Sequence, residues 1–382
     1  MKIGIDGRKL TKNKTGIGNY LENMLQYILK YDSVNEYYIF TDREIKDYKF
    51  NNINIITVNK FNTFIKSDQI YQPIWLNIVI PFYFRKYGID IFWGPNFVKP
   101  LTFPSQKSIL TIHDLAFKDV KEYHSGIHSI YLNLLLKIII DKKINLLTVS
   151  NFSKSSILKH FPILTQDQIE VTYCSYNSNL FPGNLNKDYE DIVKKKYNLY
   201  KDYILFVGTT TARKNLENVI KAIYLSKIKN GNSINLVVVG AKGNGLSAIK
   251  KLVKEYSIEE HIHFLGYVEE DHLPYIYKMA KIFIFPSFYE GFGIPILEAM
   301  VSGTPVITSN VTSLPEVGGN AVYYIDPYSP EDISNAICEV LINSKLRSEL
   351  VEFGFKRVQR FKWDDSAKVF ISNINKIKNK YF

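Results

Sequence analysis

The chain has 382 residues, of which 46% are hydrophobic and 22% charged, and it carries a formal net charge of +11. Its length exceeds what one hydrophobic core usually serves, so two domains are expected, and no apolar run reaches the roughly 18 residues that a transmembrane helix requires: residues 130–140 are broken by Lys137, and 74–84 by Asn77 and Pro81. The basic excess, 22 Lys+Arg against 15 Asp+Glu in residues 1–180 and 26 against 22 in 181–382, calls for an anionic partner, namely nucleic acid, an anionic membrane surface or a phosphorylated substrate.

The first half alternates apolar strand-like runs with helical periodicity. Residues 2–6 read as a strand, followed by a loop at 7–18 that ends on Gly16 and Gly18, and a helix from about Asn19. Strands follow at 37–41 and 53–58, a helix near 71–87, then strands at 90–93, 108–113 and 144–149. A polar, turn-rich stretch at 177–188, with Pro182 and Gly183, marks the domain boundary. The second half repeats the rhythm with strands at 203–207, 236–239, 263–265, 281–285, 305–308 and 322–325, and ends in a helix at 367–378. Strand–helix alternation of this kind predicts two doubly wound, Rossmann-like α/β domains with parallel sheets.

Three places carry candidate chemistry. Glu290 and Glu298 bracket Gly291-Phe292-Gly293 between the strand at 281–285 and a helix opened by Pro295. In open α/β sheets this carboxyl edge is where ligands bind, and N–H groups at a helix start suit anions or hydroxyl-rich ligands. The pair reads either as a grip on hydroxyls or as a helix-dipole partner and a solvated loop residue. Lys214 ends the loop at 208–214 after the strand at 203–207, and Asn215 is placed to cap the next helix. Strand, glycine loop, cation and helix start make a phosphate-binding order, although such cations are often only solvated. His113 and Asp114 end the strand at 108–113; a lone histidine is more often structural than catalytic. Asn96, Ser150 and Ser153 are secondary candidates, Ser150 reading best as an N-cap. The loop at 7–18 is not a dinucleotide fingerprint, because its glycines come late.

Cys174 and Cys338 fall in different predicted domains without metal spacing and are expected to be unpaired thiols. No Asp-x-Asp and no His/Cys cluster with ligand spacing occurs, so neither a metal nor a cofactor is expected. A start that enters a strand at once leaves no room for a secretory signal, which points to the cytoplasm.

Taken in order, Gly16-Ile-Gly18, Thr111-Ile-His-Asp-Leu115, Thr148–Ser153, Val207–Asn215, the Glu290–Glu298 segment and Leu314–Gly319 resemble the retaining glycosyltransferases of family 4, which have the GT-B fold. That resemblance implies two Rossmann-like domains facing each other across a cleft. Residues 1–180 would bind the acceptor, 181–362 the nucleotide sugar, and 363–382 would cross back to the first domain. It further implies that Lys214 neutralises the donor diphosphate, with Arg213 supplying a second charge because Thr209 stands where the family commonly has Arg. Glu298 would bond ribose hydroxyls, while Glu290 with the N–H groups of Phe292 and Gly293 would bond the sugar. Gly16 and Gly18 would approach the phosphates, and His113 would sit near the anomeric centre.

The opening Gly-Ile-Asp-Gly-Arg and the Arg-Lys-Asn block look most like bacterial mannosyl- and rhamnosyltransferases of surface-polysaccharide assembly, with GDP-mannose the first choice of donor. A glycan or lipid-diphosphate acceptor would bring the protein to the inner membrane surface. The aromatic, basic run at 82–87 reads equally as a membrane contact or as core. Two other readings remain beside this one: a nucleotide-sugar 2-epimerase of the same fold, and a basic nucleic-acid-binding protein on a degenerate GT-B scaffold. Dispersed basic residues count against the last, so no nucleic acid is expected.

Overall fold

The computed structural model describes the chain except for residues 11–15, 46–52, 59–67, 121–126, 182–184, 200, 231–233 and 242. Two compact units result, one of Met1–Cys174 with Lys362–Phe382 and one of Ser175–Phe361. Part of the loop before Gly16, and Pro182 and Gly183 of the polar stretch, lie outside the described residues.

In the first unit the described strands are β1 (Lys2–Asp6), β2 (Glu36–Thr41), β3 (Ile53–Thr57), β4 (Ile91–Gly94), β5 (Ser108–Ile112), β6 (Asn145–Thr148) and β7 (Ile169–Val171). They form one sheet in the order β3-β2-β1-β4-β5-β6-β7, with every pairing parallel. Helices cover both faces, which is why Ile3, Ile5, Phe40, Phe92, Leu110 and Leu146 are fully buried and the strands read as continuous apolar runs. Sequence periodicity finds six of these strands and misses β7. Its Ile169-Glu170-Val171 carries a charge at the centre and is not a continuous apolar run.

The first helix begins at Gly16 and not near Asn19, so Gly16 and Gly18 belong to its opening turn and not to the loop. The helix over residues 68–87 contains a π-helical segment, Trp75–Val79. The last helix, Trp363–Tyr381, belongs to the first unit and packs along Gly16–Tyr31. Trp363 meets the Tyr20 ring at 5.8 Å, and Lys30 bonds Asp364 at 2.7 Å.

The second unit has β8 (Tyr203–Val207), β9 (Asn235–Val239), β10 (Ile262–Gly266), β11 (Ile282–Phe285), β12 (Val306–Ser309) and β13 (Tyr323–Ile325). Their order is β10-β9-β8-β11-β12-β13, again all parallel. The chain steps outward in opposite directions from β8 and from β11, which makes their boundary the topological switch point, at whose carboxyl edge open α/β sheets bind ligands. Two cavities, ≈ 340 and ≈ 550 Å³, lie at the opposite, amino edge, both against Lys281 and Arg347. They are remote from the loops that carry the chemistry. Cys174 and Cys338 are both free.

Candidate functional site

Because β8 and β11 are hydrogen-bonded neighbours, the loop after Val207 and the loop after Phe285 leave the sheet side by side. The first runs from Gly208 through a short 3-10 turn, Ala212–Lys214, to Asn215, which adopts a left-handed conformation at φ 59°. The side-chain amide of Asn215 donates to Pro286 O at 2.9 Å and to Pro327 O at 2.7 Å, so it ties the loops after β8, β11 and β13 together. This is a larger role than the helix cap expected from sequence. Phe288 N donates to Arg213 O at 3.0 Å, and the Arg213 guanidinium donates to Tyr289 O.

Those ties bring three charged side chains into contact. Lys214 Nζ bonds Glu290 Oε1 at 2.7 Å and lies 4.7 Å from the centre of the Phe285 ring. Arg213 Nη1 is 3.2 Å from Glu290 Oε2, so its side chain is turned onto the turn and not out to solvent, while Thr209 is exposed. Glu290 is 7% exposed. Burial alone would raise its pKa, but the charges of Arg213 and Lys214 outweigh it and bring the carboxyl down to about 2. Glu290 is therefore a fixed anion at neutral pH, an acceptor of hydrogen bonds and not an acid. The two cations around one carboxylate leave a net positive charge at the sheet edge, which suits an anion bearing hydroxyl groups nearby.

The turn that follows is braced from behind. Ser313 Oγ donates to Glu290 O at 2.9 Å and to Phe292 O at 3.0 Å, and Glu290 N donates to Thr312 Oγ1 at 3.3 Å. Gly293 then takes φ 111° as the N-cap of the helix Ile294–Val301. A Cβ there would lie 3.0 Å from Leu314 Cδ2 in a conformation that L-residues rarely adopt, so glycine is required. Its N–H has no acceptor among the described residues, and Pro295 occupies the first helical turn.

Glu298 lies on that helix, whose Ile296, Leu297, Ala299 and Met300 are buried. It is only partly buried, and its Oε2 accepts from the Tyr277 hydroxyl at 2.9 Å. Burial, with a lesser push from Glu270, raises its pKa to about 7, against the opposing effect of the Tyr277 bond. Two glutamates eight positions apart are thus driven to opposite ends of the carboxylate range by their surroundings.

In the first unit, His113 follows β5. Its Nε2 is 2.9 Å from Pro95 O, and since a carbonyl only accepts, the proton is on Nε2. Burial pushes the imidazole pKa down, leaving Nδ1 a neutral acceptor. The ring stands edge-on to Tyr20 at 4.8 Å, and His113 O accepts from Ser153 Oγ at 3.0 Å. Ser150 is the N-cap of the helix Asn151–His160, accepting from Ser153 N, and Asp114 accepts from Ala116 N. Asn96 Oδ1 is buried without a hydrogen-bond partner among the described residues. Gly16 is exposed, and a Cβ there would meet nothing within 4 Å among the described residues, so none of them dictates glycine at that position.

Residues that sequence reasoning did not single out include Asn215 as a tie, Thr312 and Ser313 as braces, and Tyr277. No local signal marks them, because each acts on a residue reached only through the tertiary fold.

The model of the family "Glycosyl transferases group 1" matches residues 188–357. The O-antigen chain mannosyltransferase B of Escherichia coli is 35% identical over 282 residues, covering 74% of this chain and 73% of that protein. This chain is a group 1 glycosyltransferase. Among solved structures, the sucrose-phosphate synthase of Thermosynechococcus elongatus superposes on the glycosyltransferase with a TM-score of 0.78 at 20% identity, covering 99% of both chains. Anabaena Alr3699/HepE in complex with UDP-glucose gives 0.70 at 13% identity, covering 99% of this chain and 98% of that one. The shared fold is GT-B, with the two parallel sheets described above. Among the described residues of the glycosyltransferase, no helix is long and apolar enough to cross a membrane.

Proposed function

We propose that the glycosyltransferase moves mannose from GDP-mannose to a glycan or lipid-diphosphate-linked acceptor of a bacterial surface polysaccharide, with retention of anomeric configuration and without a metal ion. The observation that carries this reading is the contact of Lys214 and Arg213 with Glu290 at the carboxyl edge between β8 and β11. A sugar nucleotide presents a diphosphate beside a hydroxylated ring, and the cluster offers two cations beside an obligate hydrogen-bond acceptor. The name of the E. coli relative supports mannose and a surface polysaccharide.

In this reading Lys214 and Arg213 take the diphosphate and hold its charge as the glycosidic bond breaks, the work a metal ion does elsewhere. Glu290 and the Gly293 N–H bond sugar hydroxyls, and Glu298 bonds the ribose. A pKa near 2 and the bonds of both oxygens to cations make Glu290 a poor acid and a poor nucleophile. The proton of the attacking hydroxyl then goes to the leaving diphosphate, on the same face as the departing group, which retains configuration through an oxocarbenium-like transition state. His113, with a neutral Nδ1, accepts from a donor-sugar hydroxyl.

A lipid-linked acceptor also accounts for the run at 82–87, which the fold divides. Phe84 is core, while Phe82 is 64% exposed in line with Ile78 at 63%, next to exposed Arg85 and Lys86. Leu101, also exposed, adjoins them through its N–H bond to Asn77. Apolar side chains flanked by cations suit an anionic lipid surface.

The deciding experiment titrates the purified protein, in EDTA, with GDP-mannose, UDP-glucose, UDP-galactose, UDP-N-acetylglucosamine and dTDP-rhamnose, following the melting temperature. GDP-mannose alone should stabilise it. A response confined to another donor would replace the sugar, and a response only after adding Mg²⁺ or Mn²⁺ would overturn metal independence. NMR of the product's anomeric proton tests retention.

A further inference from the structure

Tyr277 lies on the helix Leu273–Met279, on the path from β10 to β11, and is fully buried. Its ring packs edge-on against Phe283 at 5.2 Å and obliquely against Phe181 at 5.9 Å, contacts that a phenylalanine would make equally well. The hydroxyl needs another reason. Its bond is to Glu298 Oε2, at 2.9 Å, while Glu298 Oε1 has no partner among the described residues.

A phenol and a carboxylate set side by side in an apolar helix interface are a poor route to stability, since two apolar side chains of the same shape would serve better. The geometry is nevertheless fixed from both sides. Thr304 Oγ1 donates to Tyr277 O at 2.6 Å, and Thr304 N donates to Ala299 O at 3.0 Å, so one residue ties the helix carrying Tyr277 to the helix carrying Glu298. Ser302 N and Ser302 Oγ both bond Glu298 O, at 3.1 and 2.8 Å. Burial and the neighbouring Glu298 also push the phenol pKa well up, which keeps Tyr277 a donor.

We propose that Tyr277 is a positioning residue for the donor nucleotide: its hydroxyl pins one oxygen of Glu298 and reserves the other for the ribose hydroxyls. The inference rests on the reading of Glu298 as the ribose ligand. It predicts a penalty that depends on the ribose itself and leaves the chemical step alone, since a freely rotating carboxylate must be ordered each time it binds.

The test is calorimetric titration of wild type, Tyr277→Phe and Glu298→Ala with GDP, UDP and their 2′,3′-dideoxy forms, with melting temperatures to verify folding. Tyr277→Phe should weaken the preferred ribonucleotide about tenfold, the order of one hydrogen bond to a charged acceptor, and leave its dideoxy form unchanged. In turnover, donor KM should rise by the same factor with kcat within about twofold of wild type. Equal losses for ribo and dideoxy forms, or no loss, would overturn the role of Tyr277. If Glu298→Ala likewise fails to separate the two forms, or wild type binds neither nucleotide, the ribose reading itself falls and takes the inference with it. If only Tyr277→Phe fails to separate them, that reading stands without Tyr277.

Discussion

At the carboxyl edge of the second sheet, Glu290 is held between Lys214 and Arg213 and stays ionised down to pH of about 2. At the carboxyl edge of the first, His113 sits against the Tyr20 ring, donates a hydrogen bond from Nε2 to the Pro95 carbonyl and is favoured in its neutral form by burial. The same architectural position is filled with fixed charge in one unit and with a neutral imidazole among aromatic rings in the other. The two edges therefore suit different chemistry, the one an anion and the other a neutral hydroxylated group. A diphosphate needs charges held ready for it, whereas a sugar ring needs hydrogen-bond acceptors and apolar faces.

The contrast breaks most visibly at Glu290. Glu290→Gln keeps the shape and removes the charge, and transfer should fall by about two to three orders of magnitude. Stability should fall as well. The folded pKa is depressed from 4.5 to about 2, so the stabilisation is present above about pH 4.5 and disappears as pH falls through about 2. Its size is about 3 kcal/mol, and chemical denaturation of the two proteins should differ at pH 7 and converge near pH 2. Identical curves at pH 7 would mean that the ion cluster contributes nothing to the fold.

Lys214→Ala comes next, with an expected 10- to 100-fold loss in affinity for a nucleoside diphosphate and a smaller one for the nucleoside. Calorimetry that showed equal losses for both would move Lys214 away from the phosphates.

Glu298 should give a pH signature of the opposite sign to that of Glu290. Its folded pKa is raised to about 7, by burial first and then by Glu270, so its stability contribution is full below about pH 4.5 and is lost as pH rises through 7. If Glu298 binds the ribose in its charged form, as proposed, nucleotide binding should weaken as pH falls below about 7. Glu298→Gln should flatten that dependence between pH 6 and 8; an unchanged profile would assign the titration to another group.

The smallest effect is expected at the neutral edge. His113→Ala should lower kcat about tenfold, the value of one hydrogen bond, and the kcat–pH profile at saturating donor should keep the same shape in the variant, because burial lowers the imidazole pKa and the ring serves as a neutral acceptor. A limb that vanished in the variant would show that His113 acts as an acid or base and would erase the contrast between the two edges.

Much of this was legible in the sequence. The apolar runs gave twelve of the thirteen described strands, and the glycine turn before Pro295 marked a sheet edge, since strand periods and turn residues are encoded in neighbours. The start of the first helix was misplaced because Gly16 and Gly18 look like loop residues, yet the opening turn of a helix tolerates them. Asn215 was read as a cap from its position before an apolar period, whereas its amide reaches two carbonyls 71 and 112 residues away. Tyr277 was invisible, because a tyrosine in an apolar helix carries no mark of the carboxylate it will meet.

By itself, the sequence determined the parallel α/β architecture in two halves, the basic balance, and the presence of two glutamates around a glycine turn. Periodicity, turn chemistry and composition are properties of short stretches of chain. Only the tertiary structure decided that Lys214 and Arg213 meet Glu290, 76 and 77 positions further on, while Glu298 meets Tyr277. Strand order set the first of these meetings by placing β8 beside β11, and the ties through Thr304 set the second. Burial then set how strongly each carboxylate responds, because a charge interacts weakly in water and strongly once packing has excluded it.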